Sequence, residues 1–326
     1  MTFNFLYFFP IILIQIIITK FLIYFTFKYN FFLSIPNERS SHIEIKPRCG
    51  GIAMITSVLL FFWFNDFFNQ IYFFYNILFF FIIGLFDDLI DLKHIIKLIL
   101  QFISVYIFLI SYFNFISIEY FIVGIIFVYL VNCINFSDGA DGYISLFCVL
   151  WSLSLIFFTY ILEISNQYEN YLLLLIVINL TFLIFNTFPS SIFMGDSGSY
   201  LNGALISSLI LFFYKFNFEI FLISLCLLSF IIVDCTLTIL IRLLNKKNIF
   251  SSHKEHIYQL INKSNHNYLL SIFLAYYLFL FLLILFLVYF DTHIVLITSL
   301  IFLINTLIYF LVYYNNLNKV NTSLHQ

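Results

Sequence analysis

The chain has 326 residues, of which 63% are hydrophobic, 22% aromatic and only 9% charged. A soluble domain carries about a quarter charged residues, so a water-facing surface around a buried core is excluded and a polytopic membrane protein remains. The formal net charge of −2 says little, because in such a chain the position of each charge matters more than the sum; no nucleic-acid partner is expected.

Apolar runs of roughly 20 residues are long enough to span a bilayer as helices. Hydropathy predicts eleven of them, over 3–27, 50–64, 71–86, 94–111, 117–134, 143–160, 171–186, 199–214, 219–241, 267–290 and 294–313. The expected fold is all-α, a single polytopic domain over 1–326. The first run has no basic stretch before it and no small-residue cleavage site after it, which predicts a retained helix rather than a signal peptide. Cys49, Cys133, Cys148, Cys226 and Cys235 show no paired spacing and read as packed thiols, not as disulfides or a metal cluster.

The basic residues set the orientation. Lys28, Arg39, Lys46, Arg48, Lys93, Lys97, Arg242, Lys246, Lys247, Lys254, Lys263 and Lys319 fall on one side of the alternating helices, with Lys215 on the other and Lys20 inside the first run. The positive-inside rule then predicts an outer N-terminus and a cytoplasmic C-terminus. Asp87, Asp88, Asp91, Asp138, Asp141, Asp196 and Glu255 belong to the same cytoplasmic segments. The outer loops, such as "FNDFFNQ", are short and plain.

Five cytoplasmic segments carry patterned polar residues: "NERSSHIEIKPRCGGIA" (37–53), "GLFDDLIDLKHIIKLILQ" (84–101), "NCINFSDGADG" (132–142), "NTFPSSIFMGDSGSYLNG" (186–203) and "VDCTLTILIRLLNKKNIFSSHKEHIYQ" (233–259). Any one acid reads equally well as a solvated loop residue, any one glycine as turn chemistry, and Arg242 as an interfacial anchor. Asp234 lies inside an apolar run, where an acid is a functional hypothesis. Asp234, Thr238 and Arg242 share one helical face, which predicts a polar network joining them. The cluster says more than its members. Acids converging on one membrane face repel unless a cation sits among them, and oxygen ligands from Asp and Asn suit a hard ion such as Mg2+ that bridges to phosphate. Lys97 and Arg242 add positive charge where phosphate oxygens would gather. Phosphoryl transfer is the chemistry these residues suggest.

At these residues the sequence resembles the bacterial polyprenyl-phosphate N-acetylhexosamine-1-phosphate transferases, a superfamily that includes the phospho-MurNAc-pentapeptide transferase. "FDDLIDL" is similar to the family's DDxxD motif, "NCINFSDGADG" to its NxxNxxDGxDG motif and "IFMGDSGS" to its FMGDxGS motif. The resemblance runs from about Pro36 to Gln259. It implies transfer of N-acetylhexosamine-1-phosphate from a UDP-sugar to undecaprenyl phosphate, with release of UMP, as the first membrane step of O-antigen or another surface glycan. It further implies Asp87, Asp88, Asp138 and Asp196 as catalytic acids, and Mg2+ or Mn2+ held by Asp196 and Asn135. Asp141, Phe193 and Asn186 would bind the nucleotide. Lys97, Arg242, His253, His256, His42 and Arg48 would contact phosphate and sugar. The implied setting is the bacterial cytoplasmic membrane, multi-pass, with the site on the cytoplasmic face; a homodimer is compatible.

The last loop reads "HKEHIYQ", without the triple His of the peptidoglycan enzyme, so that transferase is the alternative. It also departs from the H-x-H pattern of many GlcNAc-1-phosphate transferases, with Tyr258 where a second His often stands, which leaves the sugar open. An ion-coupled transporter would place its charges near the bilayer midplane in repeated halves, and no repeat is visible. A CDP-alcohol phosphotransferase would carry Ala-Arg soon after Asp-Gly, and "DGADGYIS" lacks it.

Overall fold

The computed structural model describes residues 8–36, 44–65, 71–113, 118–164, 168–249, 251, 253–262, 266–290 and 293–324. His42 lies outside the described residues. Helices dominate, in the order α1 (Phe8–Tyr29), α2 (Gly50–Phe64), α3 (Ile71–Ile90), α4 (His94–Phe113), α5 (Ile118–Ser137), α6 (Tyr143–Ile161), α7 (Glu169–Asn186), α8 (Gly195–Phe216), α9 (Phe218–Leu244), α10 (Ile257–Asn262), α11 (His266–Tyr289) and α12 (Ile294–Leu324). A two-stranded antiparallel hairpin, β1 (Leu33–Ser34) with β2 (Lys46–Pro47), sits between α1 and α2. Among the described residues ten helices are long and apolar enough to cross a membrane, and α2, at 15 residues, is a shorter apolar helix. Helices are the expected answer for such runs, because lipid offers backbone N–H and C=O groups no other partner. The chain is an all-α, multi-pass membrane protein.

Two compact units divide the chain, Met1–Leu209 and Ile210–Gln326. In the first, α1 packs on α2 and α7, α6 on α7, and α4 on α3 and α5. A buried polar pin fixes α1: Gln15 Nε2 donates to Ile178 O at 2.7 Å, and Ser57 Oγ donates to Gln15 Oε1 at 2.8 Å. In the second, α9 packs on α12, with α10 and α11 against them. Asn217 caps α9, its side chain accepting the Ile220 N–H at 3.1 Å.

Helix α8 is the least apolar span and the most buried. Its first turns are rich in small residues, and small residues let helices approach closely in lipid. A Cβ on Gly84 of α3 would stand 2.3 Å from Asp196 O, and one on Gly51 of α2 2.3 Å from Gly198 N. These contacts bring α2, α3 and α8 backbone against backbone.

The helix ends differ from the hydropathy reading in one consistent way. Helix α3 continues through Asp87 and Asp88 to Ile90, α5 through Asn135 to Ser137, and α8 begins at Gly195 rather than 199. Window hydropathy stops where charge begins, whereas hydrogen bonding carries the helix on. Asp87, Asp88 and Asp196 therefore project from helix ends, while Asp138 and Asp141 lie in the turn between α5 and α6. Neither α10 nor the hairpin is visible in the apolar pattern.

Candidate active site

The strand β2 positions one wall. Phe193 N–H donates to Pro47 O at 2.8 Å, and Gly50 N–H and Gly51 N–H donate back to Phe193 O and Met194 O at 3.0 and 2.9 Å. Segment 193–194 is thus knitted to segment 47–51 just before α8 begins.

Asp88 joins α3 to the start of α8. Its side chain is wholly buried, and its two oxygens accept Asp196 N–H at 2.9 Å, Ser197 N–H at 2.9 Å and Ser197 Oγ–H at 2.8 Å. Arg48 Nε adds a fourth donor at 3.1 Å. A carboxylate on the first N–H groups of a helix satisfies donors that lack intrahelical partners and complements the positive end of the helix dipole. Gly195, with φ of +74°, makes the turn that brings those amides onto Asp88, and a Cβ there would lie 2.7 Å from Asp88 Oδ2.

Asp196 is the first-turn acid of α8. Its Oδ1 receives Arg48 Nη2 at 3.0 Å and Asn135 Nδ2 at 3.1 Å, while Asn135 Nδ2 also reaches Ser199 Oγ at 2.8 Å. The Asp87 carboxylate lies against that of Asp196 within hydrogen-bonding reach. Asp87 is otherwise anchored by Leu92 N–H at 2.8 Å and Lys97 Nζ at 2.7 Å. Asp138 follows α5, and burial, then the Asp196 charge, pushes its carboxyl well above the usual carboxylate range. Burial opposes the Arg48 charge, but Asp196 and Asp88 more than offset it and raise the guanidinium pKa.

A second group of residues lies along the same wall. Lys46 Nζ donates to Ser190 Oγ at 3.2 Å, stands 3.8 Å from Asp141 Oδ2 and sits 5.5 Å from the centre of the Phe193 ring. Asp141 Oδ2 also accepts Ser190 N–H at 3.1 Å. Asn186 accepts Gly142 N–H at 2.9 Å and donates to Ile192 O at 3.0 Å, so it fastens the turn before α6 to the segment before α8.

The family model described as glycosyl transferase family 4 matches residues 70–214. Over that stretch the chain is similar to glycosyl transferase family 4. The chain is 28% identical over 242 residues to the undecaprenyl-phosphate alpha-N-acetylglucosaminyl 1-phosphate transferase of Thermotoga maritima, covering 71% of this chain and 73% of that protein. It is 28% identical over 271 residues to the probable undecaprenyl-phosphate N-acetylglucosaminyl 1-phosphate transferase of Bacillus subtilis, covering 74% and 72%. It is 31% identical over 196 residues to the phospho-N-acetylmuramoyl-pentapeptide-transferase of Dictyoglomus thermophilum, covering 52% and 61%.

The matched segment contains Asp87, Asp88, Lys97, Asn135, Asp138, Asp141, Asn186, Phe193 and Asp196, and all of them belong to the first unit. Among the described residues no group of three or more His, Cys, Asp or Glu side chains is arranged to hold a metal ion. Two carboxylates pressed together beside an amide fit a looser site. Mg2+ commonly takes one or two carboxylates and completes its shell with water and substrate phosphate, and such an ion would relieve the Asp87–Asp196 repulsion.

Arg242, His253 and His256 form a cluster within the second unit. Arg242 is buried and donates to Glu255 Oε2 at 2.9 Å, Asn248 O at 2.6 Å and Ser251 Oγ at 2.8 Å. Asp234 instead accepts Ile257 N–H at 2.9 Å and Thr238 Oγ1–H at 3.2 Å, with His256 Nδ1 at 3.5 Å. The expected Asp234–Arg242 network is therefore two networks, because Asn248, Ser251 and Glu255 take Arg242 while Thr238, His256 and Ile257 take Asp234. The His253 and His256 rings stack with centroids 4.9 Å apart. Burial, then His256 and Arg242, lowers the His253 pKa to about 4.

Sequence reasoning did not single out Lys46 as a site residue. Its signal was its place in the patterned segment 37–53, where the sequence singles out only His42 and Arg48.

Proposed function

We propose that this protein transfers N-acetylhexosamine-1-phosphate from a UDP-sugar to undecaprenyl phosphate, releasing UMP and starting a surface glycan at the cytoplasmic face of a bacterial membrane. The observation that carries this reading is the Asp87–Asp196 carboxylate pair with Asn135 beside it at the N-terminus of α8. Arg48 links that pair to the wall that bears Lys46, Asp141 and Phe193. The names of the Thermotoga and Bacillus relatives support the same acceptor and reaction class.

The chemical difficulty is to bring a phosphate monoester against an anionic diphosphate. At ~5 Å and an effective dielectric of ~20, each pair of unit charges repels by about 3 kcal/mol. Asp196 and Asn135 would hold Mg2+, and when bound the ion supplies positive charge against that repulsion. Asp88 keeps the first turn of α8 in place and so sets where Asp196 stands. The Phe193 ring offers an aromatic face for the uracil, with a polar edge from Lys46, which in turn stands 3.8 Å from Asp141. Asp87, fixed by Lys97, borders the attacking lipid phosphate. That phosphate has a second pKa near 6, so it arrives mostly dianionic and needs placement more than deprotonation.

The test is UMP release by purified protein given undecaprenyl phosphate, Mg2+ and a panel of UDP-sugars that includes UDP-MurNAc-pentapeptide. Release with a UDP-N-acetylhexosamine is expected. Release with the pentapeptide donor alone would move the protein to the peptidoglycan reaction, and no UMP from any donor would refute the proposal.

A further inference from the structure

Arg48 and a divalent cation have a claim on the same oxygen. Arg48 Nη2 stands 3.0 Å from Asp196 Oδ1, and Asn135 Nδ2 donates to that same atom at 3.1 Å. An ion held by Asp196 and Asn135 needs lone pairs that these N–H groups now take, and it could not share them with a guanidinium 3.0 Å away without direct repulsion. The two ends of the guanidinium are held differently. Nε rests on Asp88, whose side chain is 0% exposed and anchored by the α8 amides, whereas Nη2 rests on the 22% exposed Asp196. The arginine backbone is itself fixed, its N–H donating to Phe32 O at 2.8 Å. With 37% of its side chain exposed, Arg48 also has a side open to its surroundings.

We infer that Arg48 is a built-in stand-in for the metal, occupying Asp196 while the ion is absent and yielding its place when the ion binds. Nε keeps its hold on Asp88, and Nη2 swings from Asp196 towards the open side, where it meets an anionic phosphate of the donor. Loading of the ion and capture of the diphosphate are thereby coupled: the event that fills Asp196 also frees a guanidinium fork for phosphate. The inference rests on the proposed metal at Asp196, and it adds a competitor to that site.

Binding of Mn2+ without any substrate provides the test, read by electron paramagnetic resonance on the purified full-length protein. Arg48→Gln removes the charge and keeps a polar side chain. It is expected to bind Mn2+ about tenfold more tightly than the wild type, as removal of one adjacent positive charge implies, while its KM for the UDP-sugar rises. Arg48→Lys keeps the charge but not the fork, and its Mn2+ affinity is expected to stay within about twofold of wild type. A thermal melt identifies any variant that fails to fold, and the lysine variant then carries the comparison: a tenfold gain in its affinity would show that charge competition is absent. Equal or weaker Mn2+ binding by a folded Arg48→Gln protein would overturn the inference, as would no Mn2+ binding by either protein. The readout needs no donor, so tighter binding in Arg48→Gln alongside failure of every UDP-sugar would condemn the donor assignment and leave the competition standing.

Discussion

Lys97 Nζ donates to Asp87 Oδ2 at 2.7 Å across the turn between α3 and α4, while Leu92 N–H takes the other oxygen at 2.8 Å. The lysine thus spends one of its three N–H donors on a carboxylate. Both side chains are largely buried, at 16% and 4% exposure. Removing one partner of such a pair leaves an uncompensated charge and costs about 3–5 kcal/mol. Lys97→Met is expected to lower the thermal midpoint in detergent and to abolish UMP release. The double variant Lys97→Met with Asp87→Asn is expected to recover stability but not activity. A double variant no more stable than Lys97→Met alone would show that the pair is not the origin of the effect.

Asp196→Asn is expected to remove nearly all transfer activity, on the order of a thousandfold or more for loss of a charge that organises the transferring group. The protein should remain folded, because the amides of the first α8 turn are held by Asp88 rather than by Asp196. Comparable activity at saturating Mg2+ would sink the assignment. Asp87→Asn should behave differently. If Asp87 places an already dianionic phosphate, the variant is slower by a constant factor between pH 6.5 and 8 on the wild-type profile, a range above the phosphate pKa near 6. A rate that rises with pH over that range in the wild type but not in Asp87→Asn would instead assign Asp87 a general-base role.

Gly84 is a site determinant without a functional group. A Cβ there would fall 2.3 Å from Asp196 O and 2.5 Å from Asp196 C, both backbone atoms that no rotamer change can move aside. Gly84→Ala is expected to push α3 from α8, costing about 1–3 kcal/mol and most of the UMP-release activity, although the residue touches no substrate. Wild-type kcat in a Gly84→Ala protein would show that the site tolerates a shift of the α8 start.

The helical, multi-pass character was legible in the sequence, and site geometry only in part. Long apolar runs give the helices, because lipid leaves them no alternative, and the three acidic motifs mark residues that the first unit gathers. The division of labour was hidden, since it depends on hydrogen bonds between distant segments. Asp87 and Asp88 are adjacent and read alike, yet one caps α8 through two amides and the other faces Asp196 and Lys97. Asn186, expected at the nucleotide, spends both ends of its amide on backbone. Asn132 looked like part of the same motif, but its amide goes to Gln101 and Val128 O, both at 2.7 Å. Periodicity reports which face of a helix a residue occupies; it does not report which carboxylate meets an amide from a hundred residues away.

His253 gives the second unit a pH dependence that can be measured without substrate. Its pKa falls from 6.5 to about 4 through burial, then the neighbouring His256 and Arg242, with Glu255 and Asp234 opposing more weakly. Between those two values the unfolded chain takes up a proton that the folded protein does not, so stability falls as pH drops from 6.5 towards 4 and this contribution is lost in full below that. Above pH 6.5 the group is neutral in both states and contributes no slope. His253→Phe keeps a ring against His256 and cannot titrate. Its thermal midpoint is expected to decline less steeply than that of the wild type between pH 6.5 and 4, with parallel curves above pH 7. Identical slopes through the acidic window would assign the pH dependence to the carboxylates and remove His253 from the account.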